Sequence, residues 1–315
     1  MNTFNNYPVA KPWLMVLLLS AFAAGCGGGG GGRDPILGAD GAGGAGGAGG
    51  ITVTAPTATA VSLGSASRFG IFGGSAGMTN TGIQTVITGS SGNTADIGTI
   101  ATGTSSVTGF HDSAGDVYTE TGANVGNVTG IIYTCTNSTT GPTSAGVNAA
   151  SCTTATNALA DTLAAYNALV AQPAGPNPGA GNLANLTLTP GTYTAAAGSF
   201  KIEGGDLTLD AQGNANAVWV FQMATTLTVG GPGAAFPQSI ILANGALAKN
   251  VYWQVGSAAT INAAGGGTMV GTIISQAGAA FSTAGNTALM TLNGRALSLG
   301  ASVTLVNTVI NVPAP

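Results

Sequence analysis

Between residues 250 and 274 the chain reads NVYWQVGSAATINAAGGGTMVGTII, three short apolar or β-branched runs separated only by Gly, Ser and Ala. Such runs are too closely spaced for helices and too regular for a loop, so they predict strands that turn sharply at small residues. The pattern fills the second half of the chain and sorts into coils of three strands. AVWVFQM, TTLTV and SIILA make the first; VYWQV, AATIN and GTMVG the second; TIIS, AAFS and LMTL the third; RALS, SVTL and NTVIN the last. After the longer first coil the step is about 20 residues, a repeat length that signals a solenoid. Each strand then supplies one side of a roughly triangular section, with small residues at corners where bulk would clash.

The middle strand of each coil alternates with period two. Leu227, Ala259, Ala279 and Val303 are expected to face the core, while Thr226 and Thr228, Ala258 and Thr260, Gly278 and Ala280, and Ser302 and Thr304 face outward. The first strands, AVWVFQM and VYWQV, are apolar on both sides, so something must cover them outside as well. Residues 152–172 hold the one helical pattern, with Leu159, Leu163, Tyr166 and Val170 at i, i+4, i+7 and i+11 and Pro173 ending it. That helix is expected to lie along the solenoid over its apolar face. The polar, irregular stretch 111–151 reads as a cap at one end of the stack.

The beginning of the chain follows a different logic. Lys11, the apolar run WLMVLLLSAFAA and AAGC make residues 1–26 an export signal. AAGC resembles a lipobox whose Cys26 is lipidated, although Ala23 stands where Leu is usual; an ordinary cleaved signal is the alternative. Residues 27–53 are Gly-rich without apolar periodicity and read as a flexible tether, which leaves 54–315 as the folded domain. The protein is thus expected to be exported, as an outer-membrane or cell-surface lipoprotein or released extracellularly, touching membrane only through Cys26. Cys135 and Cys152 then remain as a pair in an oxidising compartment, where a disulfide is expected; two buried free cysteines are the alternative.

Composition narrows the chemistry. Only 5% of residues are charged, one is histidine, and the net charge is −4, so there is no basic footprint for nucleic acid. The densest carboxylates, Glu203, Asp206 and Asp210 in KIEGGDLTLD, invite comparison with the acid pairs of polysaccharide-cleaving solenoids. No clustered His, Arg or Lys accompanies them, and they read as turn residues on a polar corner; His111–Asp112 likewise reads as a loop pair. With no zinc spacing, phosphate loop or nucleophile elbow in the sequence, neither enzymatic activity nor a metal or cofactor is expected. What stands out is the outward column of the middle strands. Small hydroxyl and methyl groups repeated at about 4.7–4.9 Å form a flat grid that could order water. On composition alone, Thr as a good exposed strand residue explains the column equally well.

LGSASRFGIFGGSAGMTNTG, TLTPGTY, DLTLDAQGNANAVWVFQM, LANGALAKNVYWQVGSAATI and NGRALSLGASVTL resemble the DUF3494 ice-binding proteins of bacteria and fungi, over residues 61–312 apart from the cap. The resemblance implies an all-β fold, a discontinuous right-handed β-solenoid of triangular cross-section with one long α-helix packed alongside. It also implies an ice-binding face on the middle strands, often written T-A/G-x-T/N. Carried onto this sequence, that face takes Thr79 from GMT, Ser106 and Thr108 from SSVT, then Thr226, Thr228, Ala258, Thr260, Ala280, Ser302 and Thr304. Gly278 and Ala280 depart from the pattern by lacking hydroxyls, and Lys201 would interrupt flatness at one edge. The expected function is a monomeric, non-enzymatic protein that adsorbs to ice or its ordered water and inhibits growth and recrystallisation. The alternative is an adhesive or structural solenoid that binds polysaccharide or a cell surface without ice affinity.

Overall fold

The computed structural model describes residues 54–90, 94–231, 236–282 and 288–314; the export signal with Cys26 and the stretch 27–53 lie outside the described residues. Apart from a short antiparallel pair, Phe110–His111 with Val117–Tyr118, the strands pair in parallel. They form three ladders. The first ladder, that of the face expected to be flat, runs through Phe200–Ile202, Leu227–Val229, Ala259–Ile261, Ala279–Phe281, Val303–Leu305, Met78–Asn80 and Val107–Thr108. A second, helix-covered ladder runs through Gly191–Thr194, Trp219–Met223, Val251–Val255, the later halves of Thr268–Ser275 and Met290–Ser298, then Phe69–Gly73, Asp96–Thr99 and Ile132–Thr134. The third face is split. Thr187–Leu188, Leu207–Asp210 and Ile240–Ala243 pair among themselves, while the early halves of Thr268–Ser275 and Met290–Ser298 lead a separate run through Thr308–Val312, Thr85–Gly89 and Gly126–Val128.

Two details depart from the sequence expectation. GTMVG and TIIS are one continuous strand, as are LMTL and RALS, and each rounds a corner at a glycine, Gly271 with φ 102° in the first and Gly294 packed against it in the second. The backbone there bends without breaking its hydrogen bonds, which a side chain would prevent. The cap is also less irregular than its composition suggests. Gly126–Val128 and Ile132–Thr134 join the ladders, so its second half supplies the last coil of the stack.

Stacking order and sequence order differ. Phe69–Gly73 pairs with Met290–Ser298 on one side and Asp96–Thr99 on the other, which places the first coil inside the stack. The chain builds from there to Ile132–Thr134, helix α1 (Ala149–Val170) carries it back, and winding resumes at Thr187–Leu188 until Thr308–Val312 docks beside Thr85–Gly89. The length of α1 fits this return. At 1.5 Å per residue, 22 residues span about 33 Å, and the seven intervals of the helix-covered ladder span about 34 Å at strand spacing. Asn148 caps the helix start, accepting from the amides of Ala150 and Ser151. The bonded sulfurs of Cys135 and Cys152 and a Thr134 N–H to Ser151 Oγ bond of 2.9 Å fasten that end to the last coil. At the other end Gln222 Nε2 donates to the carbonyls of Leu169 and Gln172, satisfying groups the helix itself leaves open.

Inside the stack, in-register aromatic side chains pile up: Phe221 stacks on Trp253 at 4.1 Å and Tyr193 on Phe221 at 5.6 Å. Outside, the helix-covered ladder presents a second apolar layer of Val220, Tyr252, Ile274 and Leu297. Here the sequence reading of α1 needs correction. The helix packs through Ala155, Ala158, Thr162, Ala165, Tyr166 and Leu169, whereas Leu163 and Val170 are about half exposed. The ladder already supplies large side chains, so small helix residues let the two backbones approach, and the larger Leu163 and Val170 turn outward.

Residues 54–68 lie beside α1 on the same face. Pro56 accepts from the Thr192 amide, and Asp161 of α1 accepts from the amide (2.7 Å) and hydroxyl (2.6 Å) of Ser65. Arg295, only 2% exposed, donates to the carbonyls of Ser67 and Pro313 and so ties both ends of the domain to the ladder; its burial pushes its pKa down to about 10.

Ala158→Leu is expected to destabilise the protein by about 1–3 kcal/mol through overpacking, while Leu163→Ala stays within about 0.5 kcal/mol, both read from thermal unfolding. The Ser65 bonds hold the Asp161 carboxyl below the ordinary carboxylate range. Its contribution is therefore present above the unfolded value of about 3.9 and is lost as pH falls through the folded value. Asp161→Asn should lower the melting temperature at neutral pH and narrow its gap to the parent in strong acid.

Candidate functional site

The flat ladder carries two outward columns. One contains Lys201, Thr228, Thr260, Ala280, Thr304, Thr79 and Thr108, all in register. The other lies two residues earlier along each strand: Thr226, Ala258, Gly278, Ser302, Gly77 and Ser106. Their carbonyls accept from the next strand's amides at 2.7–3.3 Å, which extends the ladder beyond its named strands. The two columns thus belong to one hydrogen-bonded ladder, with spacings of about 4.8 Å across strands and about 6.6 Å along them. All ten face positions read from the sequence lie in these columns. Thr79, Ser106 and Thr108, remote from the others in sequence, sit beside Ser302 and Thr304 because the first coil is inserted next to the last.

Beneath the plane, Leu227, Val229, Ala259, Ile261, Ala279, Phe281, Val303 and Leu305 are buried in the core, so the strands are held from behind over their whole width. Asn80 is a buried contributor that period-two reading passes over. At 0% exposure, its side chain binds Gly82 N and O, the Gly109 carbonyl and the Thr85 hydroxyl, fixing the corner where the face ends. Asn262 plays a similar part just past Ala259–Ile261, three rungs away. It adopts φ 43°, a left-handed turn that Asn tolerates, and its amide binds Gln238 and Gly266. An Asn at the end of a strand, as Asn80 is, or one residue past it, as Asn262 is, is the sequence signal for these corners.

The chemistry of the face is almost entirely neutral. Among the described residues, the hydroxyls of Thr79, Thr228, Thr260 and Thr304 make no bond to protein, so they are available to water; Thr108 Oγ1 donates to the Ser105 carbonyl. Gly278 lacks a hydroxyl for a backbone reason, since φ of 93° disfavours any side chain. Ala280 lies in an ordinary strand and is under no such constraint. The one charge in the columns is Lys201, whose Nζ lies 2.8 Å from Glu203 Oε2.

The other candidate groups brace turns. Asp206 accepts from the Ser239 amide; Asp210 accepts from Gln212 N and Asn244 Nδ2, bonds that hold its carboxyl below the usual range. His111 Nδ1 lies 2.8 Å from Glu120, and Asp112, buried, accepts from the amides of Ala114, Asp116 and Ile132. Among the described residues no group of three His, Cys, Asp or Glu is placed to hold a metal ion.

Among the described residues, the parallel stack thus carries one seven-stranded ladder whose two outward columns hold small neutral residues apart from Lys201. The chain belongs to the Ice-binding-like family, whose model matches residues 72–311. It is 34% identical to an ice-binding protein of Nostoc sp. over 80% of this chain and 74% of that one. With an ice-binding protein of the yeast Leucosporidium it shares 32% identity over 81% of this chain and 86% of that one. Its fold is similar to the solved DUF3494 domain of Shewanella frigidimarina ice-binding protein 1, with a TM-score of 0.62 and 26% identity over 82% of this chain and 99% of that domain.

Proposed function

We propose that this protein binds ice through the flat ladder, adsorbing with Thr79, Ser106, Thr108, Thr226, Thr228, Ala258, Thr260, Ala280, Ser302 and Thr304, and thereby inhibits ice growth and recrystallisation without catalysing a reaction. The observation that carries this is the continuity of the face. Seven strands pair without a break and, among the described residues, the ten named face residues are exposed or half-buried, whereas the second ladder is covered by α1 and residues 54–68 and the third is split after Ile240–Ala243. Adsorption to a crystal needs many weak contacts made at once, and only a surface of fixed spacing makes them together. Thr methyls contribute apolar contact area while the unengaged hydroxyls bond the water between them.

The reading extends to the coil and the anchor. Right-handed winding follows from the strong preference of parallel crossovers for that hand, and three ladders close most simply as a triangle. Lipidation at Cys26 places the domain at the cell surface, on a Gly-rich arm; a Cys26→Ser protein should no longer partition with membranes.

The direct test replaces Thr228 or Thr260 with Tyr, with Thr268→Tyr as control. Thr268 is outward on the third face, in register with Thr291. Uptake into growing ice and thermal hysteresis should fall at least tenfold for the first two and persist for the third. All three should melt near the parent, since Thr260 is exposed and Thr228 and Thr268 are half-buried outward positions, where changes cost about 0.5 kcal/mol. Parental activity in all three moves the contact to another face, and an inactive parent favours an adhesive role.

A further inference from the structure

We propose that Lys201 limits how closely the flat face seats on ice, by holding a hydrated ammonium at the first rung of the central column; this rests on the reading of that face as the ice-contacting one. The register is the starting point. Lys201 is the direct partner of Thr228, so it occupies the position that Thr fills at five of the other six rungs. Its side chain is half exposed at 51%, and its ion pair with Glu203, two residues along the same chain segment, keeps the ammonium at that end of the face.

Two properties then act in the same direction. The four-carbon stem of Lys is longer and bulkier than the Thr side chain that fills this position at five of the other rungs, so a flat crystal approaching that end has more side chain to accommodate. The ammonium is also a compact, strongly hydrated charge, and removing its water is costly because an ice lattice offers no counter-charge. Ala280 interrupts the same column differently. It omits one hydroxyl but adds neither height nor charge, so it leaves the neighbouring Thr260 and Thr304 free to seat. The first-rung lysine is therefore the stronger limit, and Glu203 does not remove it, since pairing reduces the net charge but leaves the bulk of the side chain and the hydration of its half-exposed end.

Replacing Lys201 by Thr gives the column a sixth Thr. If about 30 Å² of additional apolar surface comes into contact, adsorption strengthens by about threefold. The exposed Lys201–Glu203 pair adds little to folding, so stability should not obscure the result.

The experiment compares the full chain with Lys201→Thr, Lys201→Gln, Ala280→Thr and Thr260→Tyr. It reads uptake into slowly growing ice, the lowest concentration that stops recrystallisation, and the melting temperature. Lys201→Thr is expected to work at about one third of the parental concentration, Lys201→Gln at an intermediate one, and Ala280→Thr to change less than Lys201→Thr. If Thr260→Tyr loses uptake while Lys201→Thr equals or falls below the parent, the role of Lys201 is overturned and the assignment of the face stands. A larger gain from Ala280→Thr than from Lys201→Thr also overturns it. Parental uptake in Thr260→Tyr overturns the face and the role of Lys201 together.

Discussion

The parallel, in-register pairing of one coil with the next is the constraint on which the rest of this structure depends. Because each strand takes its neighbour's hydrogen bonds without slip, Thr228 lies over Thr260, Phe221 over Trp253 and Gln222 over Gln254. A one-residue slip in any coil would exchange its core and surface side chains. The aromatic pile inside and the Thr column outside are thus two readings of a single register. The same pairing leaves open edges at the ends of the stack, where further strands could add. At one end of the flat ladder Leu183 donates to the Lys201 carbonyl, and at the other the amide of Gly109, just past Val107–Thr108, donates to the Tyr118 carbonyl.

A coil of this kind also has to solve a covering problem. Strands rich in Val, Trp and Tyr on both faces leave a second apolar layer exposed unless another element lies on it, and the chain uses a helix about as long as the ladder is deep. That choice explains the discontinuous winding. A helix running back along the stack must begin at one end and finish at the other, so the coils before it grow outward from the interior and the coils after it grow inward from the opposite end to meet the first of them. The meeting point is secured by Thr308–Val312 between Met290–Ser298 and Thr85–Gly89 and by Arg295 holding Ser67 and Pro313. Covering one ladder so thoroughly leaves the flat one as the uninterrupted surface on the outside.

Much of this was legible in the sequence because period-two alternation and small-residue corners are local signals. The four C-terminal coils, their inward Leu227, Ala259, Ala279 and Val303, and the need for an outer cover follow from them directly. The helix face did not follow. Leu159, Leu163 and Val170 make the stronger apolar stripe on paper, but packing depends on the partner surface, and against large ladder side chains the Ala155, Ala158 and Ala165 stripe fits more closely. The last coil was hidden for a similar reason: Gly126–Val128 and Ile132–Thr134 are strands by pairing, in a stretch whose own composition reads as loop. At the candidate site, alternation places Thr228 and Thr260 outward, whereas the adjacency of Thr79 to Thr304 is a property of the tertiary winding, and here it came only from family resemblance.

The low charge of the chain acquires a physical sense from this architecture. A catalytic cleft gains from strong local fields, whereas a surface that must match a neutral, hydrogen-bonded crystal loses contact wherever an ion keeps its own water. On the flat face neutrality extends over six of seven rungs of the central column, and the carboxylates at 206 and 210 are turned to bracing corners off that plane. On the proposed reading such a surface meets ice without electrostatic steering and holds on through the number of simultaneous contacts. Flatness then matters more than the strength of any one contact, because a single raised side chain separates all of its neighbours from the crystal at once. A structural framework that prevents slip, covers one side and closes both ends is what such a surface requires, since each of these features removes a way for the plane to bend.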